Sequence, residues 1–369
     1  MYIKSVYLEN FRNYTKQNVE LEHGINVFYG DNAQGKTNFI ESIFIASMGK
    51  SFKFINEKDL ILFTEKRAEI CIDFYSFGLN QNTTVIFNED RQKIIKSNGI
   101  HIKKRMELIG KLNVVLFTPG ELNIIREGPG LRRKFIDMCA GQLRCKYLYA
   151  ISNYNKVLEQ KNKLLKSIKN NVSLKDTIYI WNEKMADYGS IVLWYRQSLI
   201  NRIKNMIKPI YYEITEEKEN LSIAYVKTFN FDESSNIEEI RDKFIYNLNK
   251  NLDKEIETSS CITGPHRDDL IFYINGKSVK PFASQGQQRS IVLALKLVQT
   301  ELFYEETGEQ PVLLLDDITS ELDINRRTYL FNKIKDRQVI ITCTDAEKIA
   351  VSDKTVYFNV KNGCITKDN

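Results

Sequence analysis

The 369 residues include 53 Lys and Arg against 47 Asp and Glu, a formal charge of +6, with 43% hydrophobic and 27% charged side chains. This is the make-up of a water-soluble chain with room for two domains and a sizeable core, and no apolar run approaches the ~18 residues that a membrane span needs. The six cysteines (Cys71, Cys139, Cys145, Cys261, Cys343 and Cys364) form neither C-x-x-C pairs nor a histidine spacing, which argues against a disulfide framework or a zinc site. With a strand-like N-terminus in place of a signal-peptide core, the expected location is cytoplasmic.

Residues 1–122 read as β-rich, beginning with a strand on Ile3, Val6, Leu8 and Phe11. Gly24–Tyr29 is a second strand, running into Gly30-Asp31-Asn32-Ala33-Gln34-Gly35-Lys36-Thr37, a complete phosphate-binding loop followed by Asn38. Its glycines let the backbone wrap tightly enough to turn successive N–H groups toward a β-phosphate. Lys36 is placed to reach the β- and γ-phosphates of ATP, and the Thr37 hydroxyl to take a Mg²⁺ position. The apolar spacing of Phe39, Ile40, Ile43, Phe44 and Met48 predicts a helix leaving the loop, whose N-terminal dipole favours an anion. Glu69–Phe77 and Thr83–Asn88 are expected to pair as a hairpin, and Val114–Phe117 to form another strand.

From residue 91 to residue 170 there are 18 Lys and Arg against 5 Asp and Glu, which leaves the rest of the chain acidic. Such lopsidedness is the electrostatic footprint of a nucleic-acid binder. Two clusters are the candidates: Lys103-Lys104-Arg105 at a hairpin end, and Arg132-Arg133-Lys134 in the first turns of a helix opened by Gly128-Pro129. DNA phosphate contact is the preferred reading, a solvated basic face the competing one.

Phe135, Cys139, Leu143, Tyr147, Ile151 and Leu158 keep helical spacing. A second helix is predicted over 176–208, with Trp181, Met185, Tyr188, Val192, Tyr195, Leu199, Ile203 and Ile207 on one stripe and Pro209 ending it. After a strand at Leu221–Val226, a third helix carries Ile240, Phe244, Leu248, Leu252 and Ile256. These stripes are packing faces. With no long heptad array, residues 123–255 form a compact arm, not a tether.

Gly264-Pro265-His266-Arg267-Asp268-Asp269 precedes a strand over Leu270–Ile274 and the turn Asn275-Gly276. Two readings of Arg267 stay open: a contact to DNA or to a dimer's nucleotide, or a local ion-pair turn with Asp268 or Asp269. Next, Ser284-Gln285-Gly286-Gln287-Gln288-Arg289 opens the apolar helix of Ile291, Leu293, Leu295, Leu297 and Val298. By itself this is also what a helix cap looks like. Its position shortly before Val312–Ile318, an apolar strand carrying Asp316-Asp317, makes it an ABC-type signature, with Ser284, Gly286 and Gln287 as γ-phosphate candidates. Asp316 is assigned to Mg²⁺ and Asp317 to polarising the attacking water; Lys36, Asp316 and Asp317 are the catalytic set. In such heads the signature of one subunit closes over the ATP of its partner, so a working site implies a homodimer.

The stretch Leu8-Glu9-Asn10-Phe11-Arg12-Asn13-Tyr14, the loop Gly30–Asn38, the segment Gly264–Asp269, the Ser284–Arg289 run and Leu313–Asp323 together resemble the RecF family of bacterial recombination mediators, within the SMC-type ABC ATPases. The likeness covers nearly the whole chain. It implies an α/β fold: an ABC-type P-loop ATPase head of mixed sheet with flanking helices, residues 1–122 and 256–369, plus the inserted α-helical arm domain, 123–255. It also implies an ATP- and Mg²⁺-dependent dimer that binds single- and double-stranded DNA in replication and repair and acts with RecR and RecO to load RecA at gaps.

There are departures. The loop Thr118-Pro119-Gly120-Glu121-Leu122 differs from the family's Ser-Pro-Glu-Asp-Leu, and Asp317 stands where ABC heads usually have glutamate. Thr344 stands where transporter-type heads place a histidine. The shorter acid and the absent histidine point to slow hydrolysis, a timer and not a motor. The alternative is the energising subunit of another ABC system. The arm, the basic segment and Thr344 disfavour the transporter type. The nuclease-coupled type would need a further metal-carboxylate domain.

Overall fold

The computed structural model describes residues 1–53, 55–90, 92–169, 171–318, 322–345 and 355–368. They fall into two compact units, 1–122 with 292–369, and 123–291. The pairing of Asp269–Ile274 antiparallel with Leu221–Val226 holds the intervening chain within the second unit.

The first unit holds two six-stranded sheets. One is antiparallel, in the order Tyr14–Glu20, Tyr2–Phe11, Arg67–Ser76, Leu79–Asn88, Lys93–Ser97, Ile100–Ile102. Ile3 and Val6 are three apart and would face opposite sides of a regular strand. A register shift between Ile3 and Ser5 lets both be buried along with Leu8.

The other sheet runs Cys364–Lys367, Thr355–Lys361, Ile25–Tyr29, Val339–Cys343, Val312–Asp316, Val114–Phe117, parallel except at the first pair. Val114–Phe117, Val312–Asp316 and Val339–Cys343 are buried at every position, the signature of strands covered on both faces. Helix Lys36–Met48 is packed by strands of both sheets, which accounts for its burial from Phe39 through Met48. Tyr29, Asp316 and Cys343 are the C-terminal residues of neighbouring parallel strands, the edge at which α/β sheets place their ligands.

The second unit is mainly helical: Pro129–Leu143, Cys145–Ile168, Ile178–Ile214, Ile237–Lys250 and Leu252–Thr258, with a three-stranded sheet of Lys277–Ser278, Asp269–Ile274 and Leu221–Val226. Tyr154, Met185, Leu193, Phe231, Ile240, Phe244 and Leu248 form its apolar core. Three sequence expectations are corrected here. The stripe from Phe135 to Leu158 is split, because Arg144 takes an extended conformation between two helices. The third stripe likewise breaks at Asn251. Pro209 sits inside a helix that runs on to Ile214. Proline removes one ladder bond at a cost of about 3 kcal/mol, and burial of Tyr211 and Ile214 beyond it offsets that. Among the described residues no helix is long and apolar enough to cross a membrane.

Candidate nucleotide-binding site

The loop between Tyr29 and Lys36 takes backbone angles that its sequence permits. Gly30 (φ 148) and Gly35 (φ 119) lie outside the range of side-chain-bearing residues, and Ala33 adds a left-handed turn at φ 65. Space reinforces conformation: a Cβ on Gly30 would stand 2.3 Å from the Val360 carbonyl oxygen, and one on Gly35 2.6 Å from Asn13 Nδ2. No side chain caps the helix that starts at Lys36, so its first-turn N–H groups remain for an anion. Asp31, Asn32 and Ala33 are exposed on the loop's crest.

Lys36 donates from Nζ to the carbonyls of Gly30 (2.6 Å) and Asp31 (2.7 Å). Burial pulls its ammonium below the usual lysine value, while the fields of Asp317, Cys343, Asp31 and Asp316 push the other way. Thr37 Oγ1 donates to Asp316 Oδ1 at 2.9 Å, joining the first helix to the carboxylate strand across the sheet edge. Burial raises the Asp316 carboxyl, and the hydroxyls of Thr342 and Thr37 act against that rise. A hydroxyl and a carboxylate are the hard oxygens that suit Mg²⁺. Among the described residues no cluster of three or more acidic, His or Cys side chains stands ready as a full cage, so other positions would fall to phosphate and water.

The expected strand over Val312–Ile318 ends at Asp316, since Asp317 turns left-handed (φ 48), with its N–H donating to Thr342 Oγ1 (3.0 Å) and to the Thr342 carbonyl (3.2 Å). The two acids therefore stand at one strand end on different backbone conformations, Asp316 extended and Asp317 left-handed. Ser320 and Glu321 of the S-E-L-D run lie outside the described residues.

Sequence reasoning missed the clamp around the loop. Asn13 Nδ2 donates to the Gln34 carbonyl (2.8 Å), Asn13 Oδ1 accepts from Asn38 Nδ2 (2.9 Å), and the buried Tyr14 hydroxyl donates to the Gly35 carbonyl (2.9 Å). From the other end of the chain, Asn362 N–H donates to Gln34 Oε1 (2.6 Å) and Gly363 N–H to the Gln34 carbonyl (3.2 Å). An Asn-Gly pair between alternating segments is a hairpin signal, and Asn362-Gly363 carries it.

In the second unit, Ser284 and Gln287 form a reciprocal cap: Gln287 N–H donates to Ser284 Oγ (3.2 Å) and Ser284 N–H to Gln287 Oε1 (2.8 Å). Gln287 Nε2 also donates to Glu219 Oε1 (2.7 Å). Ser284 is exposed, and its hydroxyl, used here as an acceptor, retains a proton to donate. Gly286 lies in the first turn of the same helix, Gln285–Thr307. Further along that helix, in the first unit, buried Lys296 pairs with Glu121 of the Thr118–Leu122 loop.

Residues 2–367 match the RecF/RecN/SMC N terminal domain. The DNA replication and repair protein RecF of Alkaliphilus oremlandii is 41% identical over 363 residues, covering 97% of this chain and 98% of the relative. That of Clostridium tetani is 40% identical over 371 residues, covering 99% and 100%. The chain belongs to the RecF family. Two solved structures of the recombination mediator protein RecF in the RecFOR pathway, with ATPrS and with ATP, superpose with TM-scores of 0.94 and 0.91 at 35% identity, covering 100% of this chain and 98% of theirs. An Smc head bound to the C-winged helix domain of ScpA shares the fold at 17% identity and TM-score 0.57.

Against this RecF background the basic candidates divide sharply. Lys103 and Lys104 are exposed beside strand Ile100–Ile102, and Arg105 follows in a single 3-10 turn. Arg132 is not a surface cation: it is 4% exposed, with Nε and Nη2 on the Asp269 carboxylate (2.6 and 3.0 Å) and Nη1 on the carbonyls of Ile124 and Glu127. Arg133 is half-buried and donates to the Asp268 carbonyl (2.8 Å), which leaves Lys134 as the exposed member of that cluster. The local ion-pair reading of Arg267 also fails. Its guanidinium donates to the Cys261 carbonyl (3.2 and 3.3 Å), while Asp268 serves Tyr225 and Arg196, and Asp269 serves Arg132. His266 bridges Tyr154 (2.6 Å) and the Cys261 carbonyl (3.0 Å), and burial drops its pKa to about 4, so it is a neutral structural group.

Proposed function

We propose that this chain is an ATP-gated, DNA-binding homodimer of replication and recombinational repair, whose slow hydrolysis times its release from DNA. The observation that carries the reading is the bond between Thr37 and Asp316, which unites the phosphate loop with the acid strand at one sheet edge. RecF with ATP among the similar structures supports nucleotide identity. Gly30 to Asn38 would cradle the triphosphate, and Lys36, desolvated and already seated on the loop, would move onto phosphate oxygens with little loss of side-chain freedom. Mg²⁺, held through Thr37 and Asp316, would supply charge neutralisation on the phosphates. Asp317 would hold the attacking water as general base.

Ser284, Gly286 and Gln287 would complete the site of a second protomer, so that ATP is the glue of the dimer. Lys103, Lys104, Arg105, Lys134 and the exposed Arg267 are the remaining candidates for DNA phosphates, giving salt-sensitive binding without sequence preference. RecR and RecO are the expected partners in RecA loading, in keeping with the RecFOR pathway of the similar structures. Sedimentation of the purified chain with and without ATP, alone and with gapped DNA, tests the reading. The expected result is a monomer that dimerises with ATP and then binds DNA; a sedimentation coefficient indifferent to ATP refutes it.

A further inference from the structure

We propose that Thr342 is a positioning residue of the nucleotide site, a single hydroxyl that sets both acids at once. The inference deepens the reading of this site as a Mg²⁺–ATP centre and rests on it. Parallel register places Thr342 opposite Asp316, with strand Val339–Cys343 lying between the loop strand and the acid strand. From there Thr342 Oγ1 donates to Asp316 Oδ1 at 2.8 Å. The same oxygen accepts the Asp317 N–H at 3.0 Å.

A hydroxyl has one proton, so donation to Asp316 fixes its rotation and turns its lone pairs toward Asp317. Two hydroxyls, those of Thr37 and Thr342, thus converge on one oxygen of Asp316 and fix the carboxylate plane. Thr37 is itself assigned to Mg²⁺, which leaves Thr342 as the hydroxyl dedicated to Asp316 among the described contacts. Asp317 departs from strand geometry at φ 48, and the Thr342 hydroxyl and carbonyl together hold the N–H that defines this turn. The neighbours of Thr342 in Val339–Cys343 are apolar or thiol, and it is 1% exposed. A buried hydroxyl in such a strand is costly unless bonded, and here its bonds go to both acids.

The test compares Thr342→Val, which keeps the shape and deletes the hydroxyl, with Thr342→Ser, which keeps the hydroxyl, and with Asp316→Asn. Thr342→Ala is a second hydroxyl-free variant. ATP affinity is titrated calorimetrically in EDTA and in Mg²⁺, alongside steady-state turnover and thermal unfolding. The valine variant is expected to bind ATP in EDTA within about twofold of the parent, and to lose about tenfold of the Mg²⁺-driven gain in affinity, equivalent to about 1.4 kcal/mol. Turnover at saturating Mg²⁺–ATP should fall at least about tenfold, and serine should restore both within about threefold. Full Mg²⁺-driven gain and turnover in the valine or alanine variant overturn the inference. So does failure of both to fold while serine folds, which would make Thr342 a residue of stability alone. Loss of the Mg²⁺ gain in Asp316→Asn but not in Thr342→Val sinks only the role of Thr342; an unchanged Asp316→Asn sinks the site reading beneath it.

Discussion

Replacing Lys36 with alanine is the most direct test of the phosphate cradle. In the free chain the ammonium is already tethered by two bonds, at 2.6 and 2.7 Å, to the loop carbonyls. On the proposed reading, binding would exchange those partners for phosphate oxygens. Two charge-assisted bonds contribute about 1.5–3 kcal/mol each, less what the loop carbonyls already supplied, so the variant should lose roughly 2–4 kcal/mol of ATP affinity. That is roughly 30- to 1,000-fold in Kd. Stability should move little, because Asp31 is exposed and Gly30 only partly buried, and water can replace the lost donor at both carbonyls. Calorimetric titration with Mg²⁺–ATP measures the affinity, thermal unfolding checks the fold, and sedimentation velocity follows the dimer. A folded variant that binds within about fivefold of the parent, or still dimerises on adding ATP, refutes the assignment of Lys36.

Asp317→Asn should bind ATP yet turn over at least about a hundredfold more slowly, trapping a dimer on DNA, and unchanged turnover removes Asp317 as the base. Ser284→Arg should leave monomer affinity for ATP within about twofold and abolish pairing, at a cost of about 1 kcal/mol for the lost cap; weakened binding by the monomer would contradict its role in trans. Lys103→Ala with Lys104→Ala should lower the slope of log affinity against log salt by about 2 without destabilising the fold, whereas Arg132→Ala should cost about 3–5 kcal/mol by stranding Asp269. Denaturant titration and DNA binding at several salt concentrations separate the two outcomes. For His266 the folded pKa of about 4 lies below the ordinary 6.5, so the folded state favours the neutral ring. Its contribution is complete above pH 6.5 and fades as pH falls toward 4, by up to roughly 3 kcal/mol. Asp268, raised by burial to about 6, acts in the opposite direction over much of that window. Unfolding of His266→Gln should therefore show a shallower loss between pH 6.5 and 4, and a slope equal to the parent's would count against this account.

The phosphate loop was legible because its information is local: two glycines, a lysine and a hydroxyl within a few residues, flanked by a strand and a helix. Val114–Phe117, Val312–Asp316 and Val339–Cys343 were legible as short, continuous apolar runs. Thr342, Asn13 and Tyr14 were not, since each owes its contacts to a partner brought close by strand register or by the loop's own fold. Arg132 looked like its basic neighbours because nothing adjacent in the chain announces Asp269. Arg144 and Asn251 interrupt apolar stripes that continue in phase across them, so periodicity alone joined helices that the backbone separates. Pro209 erred the opposite way, a breaker overruled by buried side chains beyond it.

The clamp on Gln34 draws on residue 13 and on residues 362 and 363, and strand Ile25–Tyr29 finds one of its two neighbours only in Thr355–Lys361. A nascent chain leaving the ribosome therefore displays its phosphate loop early, long before the hairpin that braces it exists. Until residues 355–363 emerge, one flank of that strand lacks its hydrogen-bonding mate and Gln34 lacks two of its three anchors. The bracing of this loop thus waits on the synthesis of residues 355–363, and an arrested polypeptide stopping short of residue 355 would carry the loop without that brace.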